Sequence, residues 1–105
     1  MNDQQVDMER LHREEIRWRI LKILDAGRPG NVPETIILRA VQDAALAATP
    51  STLRRELDYL EERVLVKISG RESMVWAAEL SRTGVDVVEY TIDCQAGIAR
   101  PKKWH

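Results

Sequence analysis

The sequence predicts a mainly α-helical domain with one small β-hairpin, which belongs to the α+β class. Apolar residues recur at the helical period in three successive segments before residue 64, and they then follow the pattern of two short strands. The chain has 105 residues, of which 44% are hydrophobic and 31% charged, as expected for one globular domain. Because Phe is absent, we expect an aliphatic core. We place the domain at residues 7–92 and a basic C-terminal tail at residues 93–105.

The first helix is predicted over about residues 7–26. Gly27 has the position of a glycine that ends a helix, and ArgProGly after it indicates a break. On the polar side, Glu9 and Arg13 have the spacing of an i,i+4 ion pair. The apolar stripe of this helix consists of Leu11, Ile16, Ile20, Ile23 and Leu24, with Trp18 and Leu21 beside it.

The next two helices are each predicted to begin at a proline. Pro33 is expected in the first turn of the second helix, and Pro50 in the first turn of the third. Thr49 is a favourable N-cap for the third helix. We expect each helix to bury one apolar face. These faces consist of Ile37, Leu38, Val41 and Ala45 in the second helix, and of Leu53, Leu57, Leu60 and Val64 in the third.

The segment 64–80 has the pattern of a β-hairpin. Two strand-like runs, 64–68 and 74–80, flank the turn SGRES, and the second run alternates between the two faces of a strand. A short fourth helix follows, capped by Ser81. One face of the second run is expected to carry Met74, Trp76, Ala78 and Leu80.

The order helix, helix, helix, hairpin, helix resembles the winged helix-turn-helix of bacterial regulators over about residues 11–90. Three stretches carry the resemblance. TPSTLRRELDYLEERVLVKI is similar to a recognition helix with the first wing strand, SGRES occupies the position of a wing tip, and LSRTGVDVVEY is similar to the helix after the wing. Val64 stands where this family usually has a glycine.

The end of the chain adds a narrower resemblance. The domain combined with GIARP at residues 97–101 is similar to small winged-helix proteins of Mu-like prophages, a family without an assigned activity. Together the resemblances imply a phage, prophage or bacterial transcription regulator that binds double-stranded DNA. The residues implied to contact DNA are Ser51, Thr52, Arg54, Arg55 and Tyr59 on the third helix and Arg71 at the wing tip. Arg100, Lys102 and Lys103, beside Trp104, form either a further DNA contact or a solvated end.

The charge balance supports a second interpretation. The net charge is −1, whereas a DNA-binding domain usually has a basic excess. Four acidic residues lie on the third helix, and those beyond its first two turns would repel phosphates. The same fold would then be a protein-interaction module without DNA affinity. These acidic residues are Glu56, Asp58, Glu61 and Glu62.

Assembly and location are predicted from a few residues. Trp18 and the large apolar surface of the first helix predict a homodimer. The single cysteine, Cys94, indicates a reducing, cytoplasmic setting. We expect no signal peptide and no membrane span, since residues 1–26 are rich in charge.

Enzymatic and metal-binding functions have little support. His12 and His105 lack ligand partners at the spacing of a metal site, and Cys94 has no histidine nearby in the sequence. Neither a phosphate-binding glycine loop nor a nucleophile motif is present. We therefore predict no catalysis, no cofactor, no metal and no small-molecule ligand.

Overall fold

The computed structural model describes residues 6–103, which form four helices and a small three-stranded antiparallel sheet. The predicted α+β class is therefore confirmed, with one strand more than a hairpin contains. Within this range no helix is long and apolar enough to cross a membrane. Residues 1–5, Trp104 and His105 lie outside the described part of the chain. The elements are α1 (Met8–Ala26), β1 (Val32–Pro33), α2 (Glu34–Asp43), α3 (Pro50–Glu62), β2 (Val66–Ser69), β3 (Ala77–Leu80) and α4 (Arg82–Val88).

The sheet has β3 at its centre, with β1 and β2 antiparallel on either side. Ala78 of β3 lies opposite Val32 of β1 and opposite Ile68 of β2. The additional strand β1 was not predicted, because two residues are too few to show the strand period. It follows the turn over residues 27–31 and leads directly into α2.

The hairpin strands are shorter than predicted. β2 begins at Val66 instead of residue 64, and β3 begins at Ala77 instead of residue 74. A loop over residues 70–76 replaces the shorter predicted turn. Gly70 has a φ of 78°, which turns the chain out of β2, and Met74 is 92% exposed. Met74 therefore does not lie on the buried face of β3, contrary to the prediction.

α2 begins one residue later than predicted. Pro33 is its N-cap, with extended backbone angles, and pairs with Ala77 in the sheet. Ala45 was predicted for the inner face of this helix, but it is exposed and lies beyond the helix end at Asp43. Its φ of 63° shows that the chain has left the helical conformation there, so the helical period no longer applies.

The core is aliphatic and packs α1 against α2, α3 and the sheet. The buried stripe of α1 begins at Ile16, since Leu11 is 39% exposed. Trp18 is buried and contacts Tyr90 edge to face, with ring centroids 6.3 Å apart. Because the chain itself covers Trp18, the surface that suggested a homodimer belongs to the core, and self-association stays a prediction. Fully buried core residues include Ile20, Leu21, Leu24, Ile37, Val41, Leu57 and Leu60.

Val64 does not belong to the buried stripe of α3, contrary to the prediction. α3 ends at Glu62, and Val64 is 64% exposed with a φ of 61°, in the left-handed region. The chain reverses there, because the N–H groups of Val64 and Leu65 donate to the carbonyl oxygens of Glu61 and Leu60. Leu65, which is fully buried, takes the inward position.

The segment after α4 is attached to the helical domain. Ile98 is buried, and the Ala99 N–H donates to a carbonyl oxygen of α1 over 3.2 Å. Arg100 donates to two backbone carbonyl oxygens, one at the end of α4 and one beyond it. Cys94 is partly buried against the core beside this segment. Part of the predicted tail therefore packs against the helical domain.

Replacing Leu57 by alanine tests the position of α3 in the core. Leu57 is fully buried, so Leu57→Ala should lower the free energy of unfolding by about 2–5 kcal/mol. Urea unfolding followed by circular dichroism measures this change. Leu11→Ala is the matched control, since an exposed leucine should cost no more than about 0.5 kcal/mol. A loss below about 1 kcal/mol for Leu57→Ala would contradict this packing.

Replacing Val64 by glycine tests the left-handed turn after α3. A β-branched residue is strained at positive φ, by about 1–2 kcal/mol, whereas glycine is not. Glycine also increases the conformational entropy of the unfolded chain, which offsets part of this gain. Val64→Gly should therefore raise the free energy of unfolding by about 0.5–1 kcal/mol. Val75→Gly is the control, because Val75 is also an exposed valine but has no positive φ. Equal effects of the two substitutions would refute the strain argument.

Candidate nucleic-acid interface

The start of α3 is closed by a reciprocal hydrogen-bonded cap. The Thr52 N–H donates to Thr49 Oγ1 over 3.2 Å, and the Thr49 N–H donates to Thr52 Oγ1 over 2.8 Å. The Thr52 hydroxyl is therefore part of the helix cap. Ser51, beside it, is exposed, with its hydroxyl oxygen 3.3 Å from Thr49 Oγ1. Of the two hydroxyl residues predicted to contact nucleic acid, Ser51 is the more accessible.

Arg54 is engaged in a two-pronged ion pair with Glu34. Its Nε donates to one carboxylate oxygen over 2.8 Å and its Nη2 donates to the other over 2.6 Å. Nη2 also donates to the backbone carbonyl of Met74 in the loop 70–76. The Arg54 guanidinium lowers the pKa of the mostly buried Glu34 carboxyl, against the effect of burial. Arg54 therefore connects α3 to α2 and to this loop.

Arg71 folds back from the loop onto the second half of α3. Its Nη2 donates to Asp58 over 2.6 Å and to Glu61 over 2.7 Å. The hydrogen bond from Arg71 lowers the pKa of Glu61, whose second oxygen accepts the Ile68 N–H. The guanidinium carbons of Arg54 and Arg71 lie 4.4 and 4.5 Å from the centre of the Trp76 ring. The two predicted contact residues are thus brought together, at Trp76.

Glu56 is fully buried and holds three arginines, two of them from α1. Arg17 Nε donates to Oε1 over 2.7 Å, and Arg13 Nε donates to Oε2 over 2.8 Å. Arg55 Nε lies 3.4 Å from the same Oε2 atom. Arg13 pairs with Glu56 and not with Glu9, contrary to the sequence-based expectation. We call these four residues, Arg13, Arg17, Arg55 and Glu56, the Glu56 cluster.

Arg13 and Arg17 were not predicted as members of a site. One signal was present, because Glu56 lies three residues after Leu53 and four before Leu60, at the spacing of the buried stripe. A carboxylate at that spacing indicates a buried charge that needs a partner. The partner itself lies 39 residues away for Arg17, and no local pattern identifies it.

Tyr59 faces α1 and the segment after α4. The guanidinium carbons of Arg17 and Arg63 each lie 3.5 Å from the centre of its ring, so the ring separates two cations. Arg17 Nη1 donates to the Gly97 carbonyl oxygen, and a Cβ atom on Gly97 would lie 2.1 Å from the Tyr59 hydroxyl. Arg17, Arg63 and Gly97 of the same chain therefore contact the Tyr59 side chain, which was predicted to flank DNA.

The three tail residues are placed differently from one another. Arg100 lies 4.2 Å from the centre of the Tyr90 ring and is held by backbone carbonyl oxygens. Lys103 Nζ lies 5.5 Å from the same ring. Lys102 is exposed. All three line one shallow pocket with Tyr90, Cys94 and Ile98.

An apolar cleft of about 370 Å³ opens between α2, the start of α3 and the loop 70–76. Leu38, Pro50, Met74 and Val75 line it, with Ser51 among its polar residues. Within residues 6–103, no three His, Cys, Asp or Glu side chains are grouped as metal ligands would be. The surface around α3 therefore combines an apolar cleft, paired arginines and the exposed residues Ser51 and Arg55.

Acidification should destabilise the fold through Glu34 and Glu61. The pKa values of both carboxyl groups are lowered in the folded state. Their contribution to the free energy of unfolding is therefore complete above the unfolded-state pKa of about 4.3, and it is lost as the pH falls through the folded-state pKa. We expect the free energy of unfolding to fall below about pH 5 in urea titrations. Glu34→Gln should flatten this dependence. Glu62→Gln is the control, since the Glu62 side chain is 76% exposed, and curves of equal slope for both variants would contradict the prediction.

Comparison with known proteins assigns no family to this arrangement. The chain matches no protein-family model, no curated protein and no solved structure. A function must therefore be argued from the exposed first turns of α3, the arginine–carboxylate contacts and the apolar cleft.

Proposed function

We propose that the chain is a winged helix-turn-helix protein that binds duplex DNA through α3, as a regulator of bacterial or prophage transcription. The order of elements supports this proposal, because α2 and α3 are consecutive helices followed by the hairpin β2–β3. The loop 70–76 would be the wing. In this fold the N-terminal residues of the second helix contact base edges and phosphates in the major groove.

One observation carries the proposal, namely the separation of polar and apolar residues around α3. Leu53, Leu57 and Leu60 are buried, while Ser51 and Arg55 are exposed on the first two turns. Hydroxyl groups, helix N-termini and arginines bind phosphates, and arginine can also form two hydrogen bonds to guanine. The exposed side therefore offers the chemistry of a DNA-reading helix.

The acidic residues of α3 are largely compensated within the chain. Glu56 is buried against Arg13 and Arg17, and Arg71 pairs with both Asp58 and Glu61. Three of the acidic side chains of α3 that enter the net charge are therefore paired within the chain. In this proposal the compensated second half of α3 stays outside the groove, and few phosphates are neutralised.

Arg54 would act mainly on the shape of the interface. Its contacts with Glu34 and Met74 hold the loop against α2 and α3. Its substitution would therefore change the position of the wing as well as any direct contact. Arg55 is the cleaner probe, because its side chain is 50% exposed and its ion pair with Glu56 is long.

Arg55→Ala tests the proposal by fluorescence anisotropy with labelled duplexes, first random and then selected. We expect duplex affinity to fall about tenfold, since one charged contact is worth roughly 1–3 kcal/mol. The free energy of unfolding should change by less than about 0.5 kcal/mol. Arg82→Ala on α4 is the matched control, because Arg82 is exposed and makes no ion pair in the described chain. No duplex binding by the parent at low salt would overturn the proposal.

The apolar cleft favours a second candidate, a winged-helix protein-interaction module without DNA affinity. Met74 is 92% exposed and Val75 is 47% exposed, and both line the cleft. Exposed apolar surface beside a cleft is typical of protein-binding sites. This candidate becomes the leading one if the parent protein binds no duplex in the anisotropy experiment.

A further inference from the structure

The Glu56 cluster has more positive than negative charge. Three guanidinium groups surround one carboxylate, so two positive charges are left uncompensated inside the cluster. Among the described residues, Glu56 is the one carboxylate in ion-pair contact with any of these arginines. A cluster of this composition is an incomplete site for an anion.

Arg13 and Arg55 have hydrogen-bond donors to spare. Within residues 6–103, neither uses its Nη1 or Nη2 in a hydrogen bond, and their side chains are 32% and 50% exposed. Arg17 is different, because it is 8% exposed and its Nη1 is occupied by Gly97. Arg17 therefore anchors Glu56, while the other two arginines are accessible to a ligand.

Glu56 orients the two accessible arginines side by side. The Nε atoms of Arg13 and Arg55 lie 2.8 and 3.4 Å from the same oxygen, Glu56 Oε2, so the two guanidinium groups are neighbours. The buried carboxylate holds Arg13 by a hydrogen bond and keeps Arg55 beside it by a longer ion-pair contact before any ligand arrives. The cost of ordering two long side chains on binding is thereby reduced.

We propose that Arg13 and Arg55 together bind one phosphate oxyanion, which in the complex is a backbone phosphate of the DNA strand that passes α1 beside α3. This inference rests on the proposed function and adds α1 to the interface. Arginine forks fit tetrahedral phosphate oxygens, and contacts to the phosphate backbone set the register of a recognition helix. Arg13 is then a contact that the recognition helix and wing do not supply.

The neighbouring charges decide on which side the anion sits. A polar cleft of about 190 Å³ next to the cluster is lined by Arg10, Arg13 and Arg17, but also by Asp7 and Glu9. Those two carboxylates would repel an anion inside that cleft. The phosphate therefore binds on the Arg55 side of Arg13, away from Asp7 and Glu9.

The first arm of the test measures duplex binding as a function of salt. Arg13→Gln should weaken affinity about tenfold and make the slope of log affinity against log salt less steep by about 0.9, the value of one phosphate contact. Arg19→Gln is the matched control, because Arg19 lies on the same helix, is exposed and makes no ion pair among the described residues. If Arg13→Gln binds like the parent while Arg55→Ala is weakened, the inference is wrong and the proposed function stands.

The second arm does not require DNA. In the 15N-labelled protein, the Nε–H signals of Arg13 and Arg55 should shift with millimolar inorganic phosphate and not with chloride at equal ionic strength. Arg13→Gln should abolish the shift at Arg55. Phosphate shifts without any duplex binding would keep the anion site and overturn the proposed function, with free phosphate as the ligand. Absence of shifts in the parent would overturn the site.

Urea unfolding of each variant separates binding from folding. If Arg13→Gln does not fold, Arg13→Lys replaces it, because lysine keeps a positive charge beside Glu56 but cannot form the two-pronged contact. Arg13→Lys should then fold, keep the salt slope of the parent and lose several-fold in affinity. Parent-like affinity in a folded Arg13→Lys protein would overturn the two-arginine geometry.

Discussion

The ion pair between Glu56 and Arg17 is the contact on which the position of α3 depends. Both side chains are removed from water, and Glu56 is the carboxylate that pairs with Arg17, so loss of Glu56 would leave an uncompensated buried charge at a cost of about 3–5 kcal/mol. The same guanidinium group contacts the Tyr59 ring and the Gly97 carbonyl oxygen. One arginine of α1 thus fixes α3 and the segment after α4 at once. The hydrophobic core buries the leucine stripe of α3, and the ion pair holds the Glu56 side of this helix against α1.

A second group of ion pairs holds α3 from its other flank. Arg54 joins α3 to Glu34 of α2, and Arg71 joins the loop 70–76 to Asp58 and Glu61. α3 therefore packs through its apolar stripe and is also held by ion pairs to α1, to α2 and to the loop 70–76. This arrangement explains why bulk composition says little about the surface of this chain. Most of the charged side chains of α3 are paired within the described chain, and the Glu56 cluster carries an excess of positive charge.

The helices could be predicted because their buried residues are periodic, and α3 with Leu53, Leu57 and Leu60 is the clearest case. The strand β1 could not, because its pairing with β3 depends on residues more than forty positions away. The partners of Arg54 and Arg71 were equally hidden, since an exposed arginine and a paired arginine have the same local sequence. The site could therefore be predicted as a helix face, but the contacts that decide which arginines are accessible are tertiary. Val64 is a further case, because the periodicity continued past the point where a left-handed turn ended the helix.

Cys94 gives the packing of the segment after α4 a chemical consequence. Burial raises the pKa of its thiol, although the nearby Arg100 acts in the opposite direction. At neutral pH the sulfur is therefore protonated, and a protonated thiol reacts slowly with alkylating reagents. Local opening of the segment that carries Ile98 and Arg100 would expose the partly buried sulfur further and should speed alkylation. The alkylation rate of this single sulfhydryl is consequently sensitive to detachment of the end of the chain from α1 and α4, without any introduced label.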